Sequence, residues 1–320
     1  MDLPSLGRAV GARLLGRARP LAVDFEITHR CNLRCRYCDR NRATSREMSH
    51  DEILRCLDGL RAIGMRAVGL DGGEPLVHAD VAEVVAYLFD HGVLLRMNTN
   101  GVLLPQHREL LHRIAKVKIS LDGPAVVHDA ARSPGSFDTA VRAVQIAREE
   151  GCRVELTCVL GPHNAEHTDD LLGIAEGLGV AVVFQPLRDS LLAARRSGLA
   201  GADIARIRRA LFRIARAKRT GARVGNRWSS LRHFLAWPGD ATLPCAAGWI
   251  NATLDPGGNL FACGQTQRSG PRANVLELGA VRAFAALERG GCSQCWCARV
   301  VEENCAYGCR LLASLPLDSA

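Results

Sequence analysis

Three cysteines fall within eight positions of the stretch THRCNLRCRYC: Cys31, Cys35 and Cys38, directly after the strand-like VDFEIT. Thiolates this close bind metal, and tetrahedral zinc or an electron-carrying cluster takes four protein ligands. A set of three either borrows a distant fourth ligand or keeps one metal corner open. The chain carries 13 cysteines. Besides the first trio, Cys245, Cys263, Cys292, Cys295, Cys297, Cys305 and Cys309 form a second group. No secretory signal is evident, so cluster or metal binding is a better reading than a disulfide framework. Cys56, Cys152 and Cys158 lie inside helix or strand patterns and read as buried thiols without chemistry.

These groups need a scaffold, and the pattern from residue 22 to 186 supplies one. Strands are expected at 22–27, 67–70, 93–98, 117–121, 154–160 and 180–184. Helical patterns lie between them near 49–63, 79–91, 106–115, 137–150 and 165–178. Six strands alternating with helices predict a parallel α/β sheet, open or curled into a partial barrel. Ligands in such folds bind at the C-terminal ends of the strands. The turns DGGEP (71–75), NTNG (98–101) and SLDG (120–123) crowd at those ends. In KVKISLD, Lys118, Ser120 and Asp122 alternate with Val117, Ile119 and Leu121; Asp24, Glu26 and Thr28 oppose Phe25 and Ile27. The two-residue period turns one polar set toward a lumen, or toward solvent on an edge strand. Glu26, Asp71 and Lys118 are the candidates for a catalytic base on that face.

Beyond residue 187 the alternation stops. Residues 188–244 read as a helical linker, with an amphipathic helix over 202–219. Asp203 is expected to cap it, Ile204, Ile207, Leu211 and Ile214 to face the core, and Gly221 to end it. Trp228, Phe234 and Trp237 are expected to pack that helix against the C-terminal region. Residues 245–320 are expected to form a separate small cysteine-rich domain. Residues 1–20 read as a basic amphipathic helix before Pro20, packed on the core or lying on a membrane or a partner.

The chain has 320 residues, 48% of them apolar, and a net charge of +8. No apolar run reaches the roughly 18–20 residues that span a bilayer. A cytoplasmic protein, peripheral to a membrane at most, is expected. The positive excess lies largely between Arg195 and Arg227 and would attract acidic peptides, phosphates or anionic lipids, or serve only as solvated surface. A zinc-stabilised nucleic-acid module is disfavoured, because the clustered aromatics read as helix packing rather than stacking platforms.

The C-x3-C-x2-C spacing of CNLRCRYC, with Tyr37 before the third cysteine, a preceding strand and GGEP some 35 residues later, resembles the radical SAM superfamily. That resemblance covers residues 22 to about 186 and implies a partial (β/α)6 TIM-like barrel. It also implies that Cys31, Cys35 and Cys38 hold three irons of a [4Fe–4S] cluster. The open fourth iron would bind S-adenosylmethionine, whose reductive cleavage yields a 5′-deoxyadenosyl radical that abstracts a substrate hydrogen. Carried over by position, Tyr37 would lie beside the adenine, and Gly72, Gly73, Glu74 and Pro75 would receive the methionine amino group. Ser120 and Arg132 would hold the ribose and carboxylate, with the Asn98–Asn100 turn lining the pocket. Asp71 departs from many relatives, which place a small hydroxyl or apolar residue before GGEP.

The stretch CAAGWINATLDPGGNLFAC reads as a strand, a DPGG turn and a returning strand, with Cys245, Gly258 and Cys263 spaced C-x12-G-x4-C. It resembles the opening of SPASM or twitch extensions, which hold auxiliary iron–sulfur clusters. Downstream, Cys292/Cys295 and Cys305/Cys309 supply the x2 and x3 pairs, but nine residues separate them and Cys297 is extra. Seven thiols cannot fully ligate two four-iron clusters, so one or two auxiliary clusters are expected, or a zinc knuckle. The family resemblance implies an electron donor such as flavodoxin or ferredoxin. It also implies a peptide or protein substrate, or a small-molecule, cofactor-precursor or lipid one. About 20 residues precede the first strand, so no N-terminal leader-binding domain is expected, which shifts weight toward the small-molecule, cofactor-precursor or lipid substrate. A bare electron carrier would hold clusters without cleaving S-adenosylmethionine.

Overall fold

Alternation along a strand sorts its side chains to two faces, and here both faces have a use. The computed structural model describes residues 18–38, 46–187, 199, 201–239, 243, 245–264, 273–289 and 295–307. Six strands match the expected pattern: β1 (Ala22–Thr28), β2 (Ala67–Gly72), β3 (Leu94–Thr99), β4 (Lys116–Ser120), β5 (Val154–Leu160) and β6 (Ala181–Pro186). They pair in chain order and all parallel. Val68, Leu70, Val117, Ile119 and Leu156 point outward and are buried under the crossover helices. Those helices are α1 (His50–Ala62), α2 (Val81–Asp90), α3 (Ala125–Ala131), α4 (Ser136–Glu149) and α5 (Thr168–Leu178). Ser49 caps α1 in a reciprocal capping box with Glu52, which fixes where the chain turns back from the first loop.

Two local expectations are corrected. The segment expected as an α-helix over 106–115 is a 3-10 stretch, Leu104–Arg113, interrupted by non-helical His107. Pro105 is its second residue, and its fixed φ and absent N–H shorten the regular ladder. Helix α3 has no counterpart in the sequence pattern; its seven residues are too few for a helical period to show.

After β6 come α6 (Gly201–Arg219) and α7 (Trp228–Phe234). Ile207, Leu211 and Ile214 are buried, as are Phe234 and Trp237. Helix α6 starts before Asp203, so that residue does not cap it; it sits in the first turn, 3.6 Å from Arg206. The C-terminal part contains β7 (Asn251–Leu254), β8 (Asn259–Phe261), β9 (Ala273–Asn274), α8 (Val275–Ala285) and α9 (Ala298–Tyr307). β7 and β8 form the expected hairpin, with Gly258 at φ +85° and Asp255 accepting from the amides of Gly257 and Asn259, both at 2.9 Å.

The sequence pattern places that hairpin at the start of a separate domain, yet β7 lies parallel against β1, with Ala22 opposite Asn251 and Phe25 opposite Leu254. One nine-stranded sheet results, in the order β6-β5-β4-β3-β2-β1-β7-β8-β9. Helix α9 shows that the six-stranded part curls. The Ala298 amide donates to Gln185 on β6 at 2.8 Å, while the next residue, Arg299, is ion-paired to Asp24 on β1. In a flat sheet those strands would stand about 24 Å apart, so adjacent residues touch both only around a partial barrel.

Residues 1–17, Arg195, Arg196, Cys292 and Cys309 lie outside the described residues. No helix among the described residues is long and apolar enough to cross a membrane.

Candidate functional site

The loop that leaves β1 carries the first three cysteines, and two glycines let it dock. The Gly73 amide donates to Thr28 O at 2.8 Å, and the Glu74 amide to Arg30 O at 2.9 Å. A Cβ on Gly73 would stand 2.2 Å from Arg30 O; one on Gly72, whose φ is +139°, would stand 2.2 Å from Thr28 O. Only glycine permits backbones this close. The far side of the loop is held by Arg36, whose amide donates to Ala131 O at 2.9 Å.

Donors surround the sulfurs. The Leu33 amide reaches Cys31 Sγ at 3.4 Å, Asn100 Nδ2 reaches the same sulfur at 3.9 Å, and Arg132 Nη1 reaches Cys35 Sγ at 4.0 Å. Burial pushes the free Cys35 thiol up to about 11, with Arg132 opposing it. Binding of an iron cluster would therefore displace protons, and the three donors would then face thiolate sulfur. Among the described residues, no three His, Cys, Asp or Glu side chains converge on a point that one metal ion could fill. The trio and its glycine cradle fit the open-corner cluster.

Glu74 is spent on the scaffold. It is buried; its Oε1 accepts from Thr99 Oγ1 at 2.8 Å and the Leu76 amide at 3.2 Å, and its Oε2 accepts from the Asn100 amide at 2.7 Å. Those bonds tie the end of β2 to the end of β3. Burial pushes its carboxyl up to about 7 against those three donors. Pro75 begins the 3-10 turn immediately after it.

Tyr37 and Arg132 converge on Asp122. The Tyr37 hydroxyl donates to Asp122 Oδ2 at 2.5 Å, Arg132 Nε to the same oxygen at 2.6 Å, and the Val159 amide to Oδ1 at 3.2 Å. Burial opposes ionisation of Asp122, but the Arg132 guanidinium and the Tyr37 hydroxyl hold its carboxyl below the ordinary range. Tyr37 also stacks on His163, 5.3 Å between centroids, and the Nε2 of His163 is buried without a hydrogen-bond partner. Sequence reasoning marks Asp122 only as a lumen residue and misses His163. The available signal is the GPHN turn at the end of β5, the position where the other ligand turns also lie.

The remaining predicted positions line the lumen. Asn98, Lys118 and Ser120 are half-buried, and Asn98 stands opposite Lys118 across β3 and β4. Glu26 is buried, hydrogen-bonds His29 at 3.0 Å and stands opposite half-buried Asp71 on β2. Lys118 lies near Glu302 of α9, so the C-terminal helix reaches the same cavity.

The second cysteine group is built against that cavity. Gly264, next to Cys263, donates to Thr253 Oγ1 at 3.0 Å, and a Cβ on it would stand 3.2 Å from Glu26 Oε1. Cys297 immediately precedes α9. The segment after Cys245 is tied to α9 by the Ala246 amide, which donates to Asn304 Oδ1 at 2.9 Å. Cys297 and Cys305 are eight residues apart, about 12 Å along a helix axis. Cys295 holds His233 through its carbonyl at 2.6 Å, and His233 lies against Trp296, whose buried Nε1 has no partner.

Comparison with known proteins agrees with this geometry. The radical SAM superfamily profile matches residues 25–174. Mycofactocin maturase MftC of Mycolicibacterium smegmatis and of Mycobacterium ulcerans are each 31% identical over 265 residues, 78% of this chain and 65% and 69% of theirs. AdoMet-dependent heme synthase of Nitratidesulfovibrio vulgaris is 30% identical over 184 residues, 53% of this chain and 49% of its own. The chain thus spans from about half to about two thirds of the length of these relatives. Streptococcus suis SuiB bound to S-adenosylmethionine shares the fold, with a TM-score of 0.66 at 17% identity over 84% of this chain and 67% of SuiB. The chain belongs to the radical SAM superfamily, whose enzymes work with a [4Fe–4S] cluster and S-adenosylmethionine.

Proposed function

We propose that this enzyme is a maturase that modifies a peptide or protein side chain, with auxiliary iron–sulfur chemistry beside its substrate cavity. One observation carries the reading: likeness to mycofactocin maturase extends over 78% of the chain, beyond the barrel, whereas likeness to the heme synthase covers 53%. Cys263 and Cys297 of the C-terminal region lie beside Arg299, whose guanidinium is ion-paired to Asp24 on the lumen face of β1.

When bound, the cluster and nucleotide supply a 5′-deoxyadenosyl radical by reductive cleavage. The chain's own residues do the rest. Cys31, Cys35 and Cys38 hold the cluster, and Gly72 and Gly73 keep the nucleotide's amino end close to backbone. The buried Asp122 fixes Tyr37 and Arg132 at the mouth, where His163 presents a free ring nitrogen on the far side of Tyr37. Ser120 and Asn98 line the route to the lumen. Glu26, Asp71 and Lys118 offer charged partners for the substrate. Cys263 and Cys297 both lie near Arg299, and with Cys245, Cys295 and Cys305 they offer ligands for one or two auxiliary clusters. Flavodoxin or ferredoxin is the expected electron donor, and the cytoplasm the expected compartment.

A second reading, oxidation of a small molecule or cofactor precursor, is favoured by the heme synthase likeness. Anaerobic turnover with reductant, S-adenosylmethionine and candidate substrates separates the two. A deuterated peptide that transfers its label into 5′-deoxyadenosine supports the maturase. Transfer only from a porphyrin or another small molecule overturns it.

A further inference from the structure

We propose that Arg299 sets the reduction potential of the auxiliary iron–sulfur site, acting as a fixed cation between that site and the barrel lumen. The inference rests on the auxiliary-cluster reading above. Arg299 lies in the first turn of α9, two residues after Cys297. Its guanidinium crosses into the lumen, where it is ion-paired to Asp24 of β1 and to Glu303 at 3.0 Å. Both carboxylates are themselves held. Asp24 is 8% exposed, and Glu303 accepts from Asn251 Nδ2 at 2.8 Å.

Cys263, two residues beyond β8, lies near the same guanidinium. Its neighbour Gly264 hydrogen-bonds Thr253, and Thr253 is the residue opposite Asp24 across β1 and β7. Asp24, Arg299, Cys297 and Cys263 therefore share one corner of the lumen wall. The nearby carboxylates and the two thiols together hold the guanidinium well above the ordinary arginine range, after burial opposes it. An arginine cannot lose its charge under these conditions. Adding an electron to a cluster makes it more negative, so a fixed cation at this corner favours the reduced form. At an effective permittivity of about 20, a unit charge some 12 Å away changes such an equilibrium by about tenfold. For one electron, tenfold corresponds to about 59 mV.

The test is an EPR-monitored redox titration of reconstituted protein in a Cys31→Ala, Cys35→Ala, Cys38→Ala background, where remaining iron belongs to auxiliary sites. Arg299→Gln is expected to disfavour one-electron reduction by about tenfold, and Arg299→Lys, which keeps the charge, to stay within threefold of the parent. Glu303→Gln removes a negative charge instead and is expected to move the potential in the opposite direction; it serves if Arg299→Gln fails to fold. An unchanged potential in Arg299→Gln, equal shifts in the glutamine and lysine variants, or a downward shift in Glu303→Gln would each overturn the inference. If the triple-alanine background binds no iron, the auxiliary-cluster reading itself fails, and that outcome is distinct from iron with an unmoved potential.

Discussion

Glu74 stands in the GGEP turn, where the resemblance would place it against the nucleotide, but its carboxylate oxygens are occupied by Thr99, Asn100 and Leu76. Glu74→Gln should therefore act first on stability. The carboxyl is pushed from 4.5 to about 7 by burial. A carboxylate whose pKa is raised on folding binds more protons folded than unfolded between those values. Its stabilisation is full below about 4.5 and is lost as pH rises through about 7. Between pH 5.5 and pH 8 the wild-type chain should lose about 2 kcal/mol that the glutamine variant, which cannot titrate, does not lose. Glu74→Ala removes every acceptor at once and leaves two buried amides unmet, a cost of about 1–3 kcal/mol each at both pH values. Urea unfolding of the cluster-free chain, monitored by far-ultraviolet circular dichroism at the two pH values, measures the gap. If the difference between wild type and Glu74→Gln stays constant from pH 5.5 to pH 8, Glu74 titrates normally and the reasoning is refuted. If stability is untouched while nucleotide binding is abolished, the carboxylate faces the ligand and not the strand ends.

Three further outcomes rest on the same geometry. Gly73→Ala drives a Cβ to 2.2 Å from Arg30 O, a backbone atom that cannot step aside, and should cost about 3 kcal/mol; a wild-type urea midpoint and iron content would contradict the cradle. Asp122→Asn leaves the buried Arg132 guanidinium without its counter-charge and should destabilise by about 3–5 kcal/mol, whereas the double change Asp122→Asn, Arg132→Met should recover much of that loss; thermal unfolding that shows no recovery would mean the pair is not what matters. Cys35→Ala and Cys263→Ala should each remove about four irons per chain and the double variant about eight; equal iron loss in single and double variants would show one shared site.

Much of the barrel is legible in the sequence because its information is local. A two-residue period over VDFEIT and KVKISLD, and a 3.6-residue period in ILRCLDGL, report which faces are buried whatever lies across from them. The cysteine spacing and the glycines of DGGEP are also local, since a loop of eight residues and a close backbone approach are fixed by residue type. What α3 does is not legible, because its seven residues carry too short a pattern, and its contacts to the site, the Ala131 carbonyl on Arg36 and His128 Nδ1 on the Asp122 amide, exist only in the fold. Asp122 is visible as a polar lumen position, but its bonds to Tyr37 and Arg132 join residues 85 and 10 positions away.

The linear chain alone specified the alternating elements, the trio of thiols and the crowding of polar turns at strand ends. It took the folded molecule to set β7 against β1, to bridge β6 and β1 with α9, and to bring Arg299 to Asp24 beside Cys263. Those pairings join segments 113 to 275 residues apart. Their partners are selected by which surfaces remain uncovered once the barrel has curled, and no period in a linear chain records that choice.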